Sequence, residues 1–171
     1  MFNSTGRPLR AIHSSWHSLD AAALIMRAAL GLCFIAHGSQ KLFGLFGGPG
    51  IDGNTAFFTK VGIPAPQAFS YVSGILEFFG GIVIALGFLT VAAAIGLIVE
   101  MVVAISYVSW SSGFFALPPK VGWELNVYLI ALLAALVIAG PGRWSVDAMF
   151  GLTRRRPAAA ADVSSRQGAQ V

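Results

Sequence analysis

Four apolar stretches, approximately Ala21 to Phe46, Ala68 to Leu89, Val91 to Trp110 and Trp123 to Ala139, dominate the chain. Each approaches the roughly 20 residues that a helix needs to cross about 30 Å of hydrocarbon, the fourth being the shortest. Hydrophobic residues make up 56% of the 171 and charged residues 11%, against roughly 45–50% and 25% in soluble domains. A soluble core of this size could not hide so much apolar surface, so lipid is the expected solvent for most of it. The fold expected is all-α, a polytopic membrane protein built as a four-transmembrane-helix bundle. Between the second and third stretches lies only Gly87-Phe88-Leu89-Thr90, which leaves room for a tight antiparallel hairpin with Thr90 as N-cap. The first connection, Gly47 to Gln67, is rich in Gly and Pro, and Asn54 to Lys60 within it reads as a short interfacial helix.

Orientation follows from the cations outside the spans. Arg7 and Arg10 precede the first; Arg143, Arg154, Arg155, Arg156 and Arg166 follow the fourth; only Lys60 and Lys120 lie in the loops of the opposite side. The positive-inside rule then places the N and C termini in the cytoplasm. All four tryptophans (Trp16, Trp110, Trp123, Trp144) fall at expected helix ends, where an amphipathic ring prefers the headgroup layer. Arg27 interrupts the first span and no clear small-residue cleavage site follows, so that span reads as retained rather than as a signal peptide. Residues 1–20 form an expected cytoplasmic segment in which Leu9, Ile12, Trp16 and Leu19 trace an amphipathic helix. Residues 21–147 are the expected membrane domain, and 148–171 a basic tail whose Ala, Ser and Gln content from Pro157 onward reads as disordered.

Several chemistries are excluded early. A single cysteine, Cys33, rules out an intrachain disulfide, a CxxC pair and a cysteine-based metal site. His37 is the only histidine in any span, which argues against a bis-histidine haem held by one chain. No P-loop, HExxH, nucleophile elbow or GxGxxG after a strand is present. The net charge of +4 comes from basic residues at the chain ends rather than from a patch interleaved with aromatics, so nucleic acid is not an expected partner.

Ionisable side chains within spans are costly and mark function or packing. Arg27, His37 and Lys41 share one face of the first span with Phe34, Arg27 toward the cytoplasm and the other two toward the outside. Glu77 on the second span and Glu100 on the third fall near the bilayer midplane, where adjacent antiparallel helices let them meet. Gly74 and Gly81 flank the one, Gly96 and Ala104 the other, permitting close approach. Glu124 opens the fourth span on the side where Lys41 emerges, a first-turn position that the helix dipole favours on its own. Two readings stand side by side. In one, buried cations pair with buried carboxylates and only fix the packing. In the other, Arg27, His37, Lys41, Glu77, Glu100 and Glu124 line a polar pocket in which Glu77, Glu100 and His37 exchange protons. Cys33 reads as a small packed hydrophobe.

Arg27-Ala-Ala-Leu-Gly31, His37-Gly38-Ser-Gln-Lys41-Leu-Phe-Gly44, Gly62-Ile-Pro64, Gly74-Ile-Leu-Glu77-Phe-Phe-Gly80-Gly81, Leu86-Gly87, Glu124 and Gly140-Pro-Gly142-Arg-Trp-Ser145-Val-Asp147 together resemble the DoxX family of bacterial inner-membrane proteins. No one motif is specific, but their order and spacing over Arg27 to Asp147 are. The resemblance implies a four-helix bundle in the bacterial inner (plasma) membrane and an association with quinol oxidase, thiosulfate:quinone oxidoreduction or oxidative-stress defence. Arg27, His37, Lys41, Glu77 and Glu124 match the family's polar pattern. The chain departs from it near Ser109, where relatives often carry a histidine before the Gly113-Phe114-Phe115 run, which puts in doubt here any step that uses that histidine.

Three functions follow as expectations. One is an accessory subunit that binds quinone or a partner oxidoreductase subunit, with the residues themselves fixing no cofactor and no complete catalytic motif. Another is a carrier for protons or a small solute. The last is a structural membrane partner with buried ion pairs and no catalysis. Membrane lipid is the expected surrounding in each, and self-association into a homo-oligomer stays open.

Overall fold

The computed structural model describes residues 15–117 and 122–152. Among them all regular structure is helical: α1 (Ser15–Phe43), α2 (Gly50–Lys60), α3 (Pro66–Leu86), α4 (Thr90–Ala104), α5 (Glu124–Ala139) and α6 (Val146–Met149). A π-helical turn at Ile105–Ser109 and a 3-10 turn at Trp110–Ser112 prolong α4. Leu19–Phe43, Pro66–Leu86 and Thr90–Ser112 are long and apolar enough to cross a membrane. α5 is an apolar helix of 16 residues, or about 24 Å at 1.5 Å per residue. The basic tail from residue 153 and most of the expected N-terminal amphipathic segment lie outside the described residues.

Helix ends follow local chemistry. Gly44 adopts a left-handed conformation (φ 68°) and stops α1 three residues before the apolar stretch runs out, because that conformation suits glycine and ends a helix. The first connection then makes a 3-10 turn and enters α2, which starts at Gly50, ahead of Asn54. Asp52 in its first turn and Lys60 in its last complement the helix dipole. Pro66 opens α3 at a position where a missing N–H costs nothing. At the far end the Gly87 N–H donates to Ile84 O and the Phe88 N–H to Val83 O (both 3.0 Å), the paired bonds of a Schellman cap.

The cap of α4 differs from the local one expected at Thr90. Asp147, far along the chain, accepts from the Leu89 N–H (2.7 Å), the Thr90 N–H (3.0 Å) and Thr90 Oγ1 (2.8 Å). A carboxylate delivered to a helix N-terminus satisfies orphan donors and meets the positive end of the dipole. α6 aims it: Ser145 Oγ caps α6 by accepting from the Ala148 N–H, and the Asp147 N–H donates to Gly87 O. Asp147→Ala removes three hydrogen bonds at a buried end, so a loss of about 2 kcal/mol is expected, at the upper end for an N-cap. Thermal unfolding of the purified protein measures it.

α1 and α3 form the most extensive helix pair, followed by α4 with α5. The first pair meets backbone to backbone. A Cβ at Gly38 would lie 2.3 Å from Phe78 N, and one at Gly81 2.7 Å from Ile35 N. Gly74 and Gly81 therefore serve the approach of α3 to α1. The α3–α4 contact is looser, with Gly80 facing the side chain of Leu97 and Gly96 that of Leu76. Leu30, Phe34, Ile84, Ala94, Leu97, Leu133 and Leu136, each at most 1% exposed, fill the space between the four long helices. Trp123 stacks on Trp110 (6.1 Å between centroids) and meets Phe114 edge-on, tying the start of α5 to the end of the α4 extension.

Candidate functional site

The dry layer divides two polar clusters. On the hairpin side, the Arg27 guanidinium is 1% exposed. It donates to the carbonyls of Ala85 (3.4 Å) and Trp144, joining α1, the end of α3 and the Gly140-to-Asp147 segment. A cation is favoured at these carbonyls by the negative end of α3. Arg27 makes no ion pair with Glu77 or Glu100 and does not line the cavity described below. Close by, Asp20 accepts from the Arg143 N–H (2.9 Å), so the start of α1 touches the segment after α5.

On the other side of the layer α1, α3 and α4 bring Lys41, Glu77 and Glu100 together. Lys41 Nζ lies 2.8 Å from Glu77 Oε1 and 3.4 Å from Glu100 Oε1. It also donates to Ser73 Oγ (2.6 Å), whose own proton goes to Glu100 Oε1. The close approach of α1 to α3 makes the Lys41–Glu77 contact geometrically available, since Gly38 lies one turn below Lys41. Two carboxylates facing one ammonium leave a unit negative charge, and one proton on either carboxyl makes the trio neutral. In a low-dielectric interior that difference matters more than in water.

The trio lines the wall of a cavity of about 550 Å³ enclosed by all four long helices and α2, a volume typical of small-molecule sites. Most of the wall is apolar, from Phe34, Phe58, Leu76, Met101 and Leu129 among others. Four buried polar atoms on lining residues have no hydrogen-bond partner: Glu77 Oε2, Glu100 Oε2, Asn54 Nδ2 and Ser109 Oγ. Buried polar groups are ordinarily satisfied, so residues of the wall carry unmet acceptors and donors. His37 lines the cavity in a more exposed position. Glu124 lies elsewhere: its Oε1 accepts from the Ala116 N–H (3.2 Å) and holds the loop before α5. Among the described residues no three His, Cys, Asp or Glu side chains gather to hold a metal ion.

Sequence reasoning missed Ser73 and Asn54, and singled out Ser109 only as the place where relatives often carry a histidine. Ser73 was within reach of it, one helical turn before Glu77 on the same face. Ser109 owes its position to the π-helical turn, in which an extra residue per turn swings the following side chains around the axis.

Apolar helices around a mostly apolar cavity with a charged cluster in its wall define a membrane protein with a small-molecule-sized interior site. The chain belongs to the DoxX family, whose model matches residues 22–110. It is 31% identical over 137 residues to the uncharacterized membrane protein Rv3486 of Mycobacterium tuberculosis, with 74% of this chain and 79% of that protein covered. No solved structure gives a significant match.

Proposed function

We propose that the chain is a four-span protein of the bacterial inner membrane, both termini cytoplasmic, that holds a lipid-soluble quinone in its cavity as an accessory subunit of a membrane oxidoreductase. The observation that carries this reading is the Lys41–Glu77–Glu100 cluster in the wall of a largely apolar cavity, with the second carboxyl oxygens, Glu77 Oε2 and Glu100 Oε2, buried and unpartnered. Four spans are supported by the Asp20–Arg143 contact, because a chain that enters and leaves a bundle at one end crosses it an even number of times. A helix of about 24 Å spans with local bilayer thinning, and the arginines flanking this end favour the cytoplasm.

The unpartnered groups fit a ring with oxygen at opposite edges. Glu77 and Glu100 accept from hydroxyls, while Asn54 Nδ2 and Ser109 Oγ donate to carbonyls. A bound quinone supplies two-electron, two-proton chemistry, with electrons from the partner oxidoreductase. The carboxyls, held by Lys41 and Ser73, take or give the protons at their free oxygens. Lys41 keeps its charge balanced against them at each stage. Transmembrane conduction of protons or solute is less well supported, since the layer from Leu30 to Leu136 seals the trio from the Arg27 end.

The test is saturable quinone binding to purified protein, with organic extraction identifying any quinone retained from the membrane. Glu77→Gln is expected to weaken binding about 10-fold or more, the loss of one hydrogen bond to a charged group. A wild-type protein that neither retains nor rebinds quinone overturns the proposal.

A further inference from the structure

The cavity is partly enclosed, and its lining combines buried and exposed residues. Phe34 of the apolar layer, residues of α1 and α5, and Asn54 and Phe58 of α2, both buried, contribute to its wall. Exposed lining residues mark its openings: His37, Phe57, Pro64 and Leu125 singly on other elements, and the largest group along the gap between α3 and α4. These helices are tied at the Gly87 hairpin and touch through Leu76 and Gly96, but farther from the hairpin both rims are exposed while still lining the cavity. Val72 on α3 is 55% exposed, Val99 on α4 58% and Tyr107 47%, with Phe69 and Val103 beside them. Apart from the Tyr107 hydroxyl, these rim side chains are hydrocarbon.

From this geometry we infer that the ligand enters sideways from the lipid, between Phe69 and Val72 on one rim and Val99, Val103 and Tyr107 on the other. The ligand class is a hydrogen-bonding ring that carries an apolar chain, and the chain stays in the gap with its end in the bilayer. This deepens the quinone reading and rests on it. An aqueous solute would meet an apolar mouth opening onto lipid. A long-chain molecule meets neither obstacle: its chain leaves lipid for an equally apolar gap, at little desolvation cost. Only the ring has to find partners, and Glu77, Glu100, Asn54 and Ser109, each with an unpartnered polar atom, are among the lining residues.

The experiment compares a ring-only benzoquinone with the same ring bearing a long isoprenoid chain, using purified full-length protein in nanodiscs. In the wild type the chain-bearing quinone is expected to bind at least 10-fold more tightly. Val72→Trp with Val103→Trp narrows the mouth at two exposed positions and is expected to cost the chain-bearing quinone at least 10-fold, leaving the ring-only compound within about 2-fold. Leu32→Trp, at a position 70% exposed on α1 and away from the cavity, is the control and is expected to change neither. Thermal unfolding of each variant reports folding, and Val72→Ala with Val103→Ala, which widens the mouth, is expected to keep chain-bearing binding if the tryptophans disturb packing. Equal loss of both ligands in a folded tryptophan variant, or loss of neither, overturns sideways entry while leaving the quinone site standing. Absence of binding of either compound to the wild type overturns both.

Discussion

Replacing Lys41 by methionine is expected to destabilise the protein by on the order of 3–5 kcal/mol, the loss found when one member of a buried charge cluster is removed. The Glu77 and Glu100 side chains are 5% and 11% exposed, so neither can turn to bulk water when the ammonium is gone. Ser73 has a single proton to offer, and it already goes to Glu100. The triple variant Lys41→Met, Glu77→Gln, Glu100→Gln removes every charge from the cluster and is expected to recover most of the lost stability. Quinone binding should stay weak, because two neutral amides no longer offer charged acceptors to the ring hydroxyls. Thermal unfolding in detergent measures the first quantity and ligand titration the second. A triple variant that is stable and still binds would remove the carboxyls from the site; a single variant as stable as wild type would mean that the ammonium is not their counter-ion.

The second large effect is expected at a residue with no polar chemistry. Gly38→Ala places a methyl group 2.3 Å from Phe78 N and 2.6 Å from its Cα. These are backbone atoms of a helix, which cannot swing aside as a side-chain tip does, so α1 and α3 must separate along their length. Overpacking typically costs 1–3 kcal/mol, and this site belongs at about the upper figure. Gly80→Ala is the informative companion. Its new Cβ meets only the Leu97 side chain at 3.5 Å, ordinary contact distance, and alanine is the better helix former by up to about 1 kcal/mol. Gly80→Ala is therefore expected to be neutral or mildly stabilising, although it neighbours Gly81 in sequence. Equal melting temperatures for the two variants would contradict the backbone contact of α1 on α3.

The pairing of Glu77 with Glu100 was legible because position along two hairpin-linked helices fixes depth, and depth decides which groups can meet. Lys41, expected toward the outside, reaches them from α1. Arg27 was legible as buried but not in its partners: it bonds to carbonyls, and carbonyls leave no mark in a sequence. Gly74 and Gly81 announced a close approach without saying to which neighbour, since a small residue permits any helix to come near. Glu124 shows the weakness of reasoning from charge near a helix start, where capping a loop and facing a cavity look alike. Ser109 depended on a π-helical turn, and no residue type in Ile105 to Ser109 demands one. Each gap has one physical root. Periodicity gives the direction of a side chain about its own helix, while the identity of what stands opposite depends on how the helices are arranged.

The clasp at the hairpin end also orders events during synthesis. Arg143 reaches back 123 residues to Asp20, Trp144 reaches back 117 to Arg27, and Asp147 reaches back to Leu89 and Thr90. While the ribosome is still adding residues short of these, α1, α3 and α4 can already have formed, but the first amides of α4 are bare and the buried guanidinium lacks its Trp144 acceptor. The hairpin end therefore cannot finish assembling until the segment after α5 emerges and docks. A nascent chain that stops early carries exposed donors at its membrane edge, the kind of defect that distinguishes an unfinished membrane protein from a finished one.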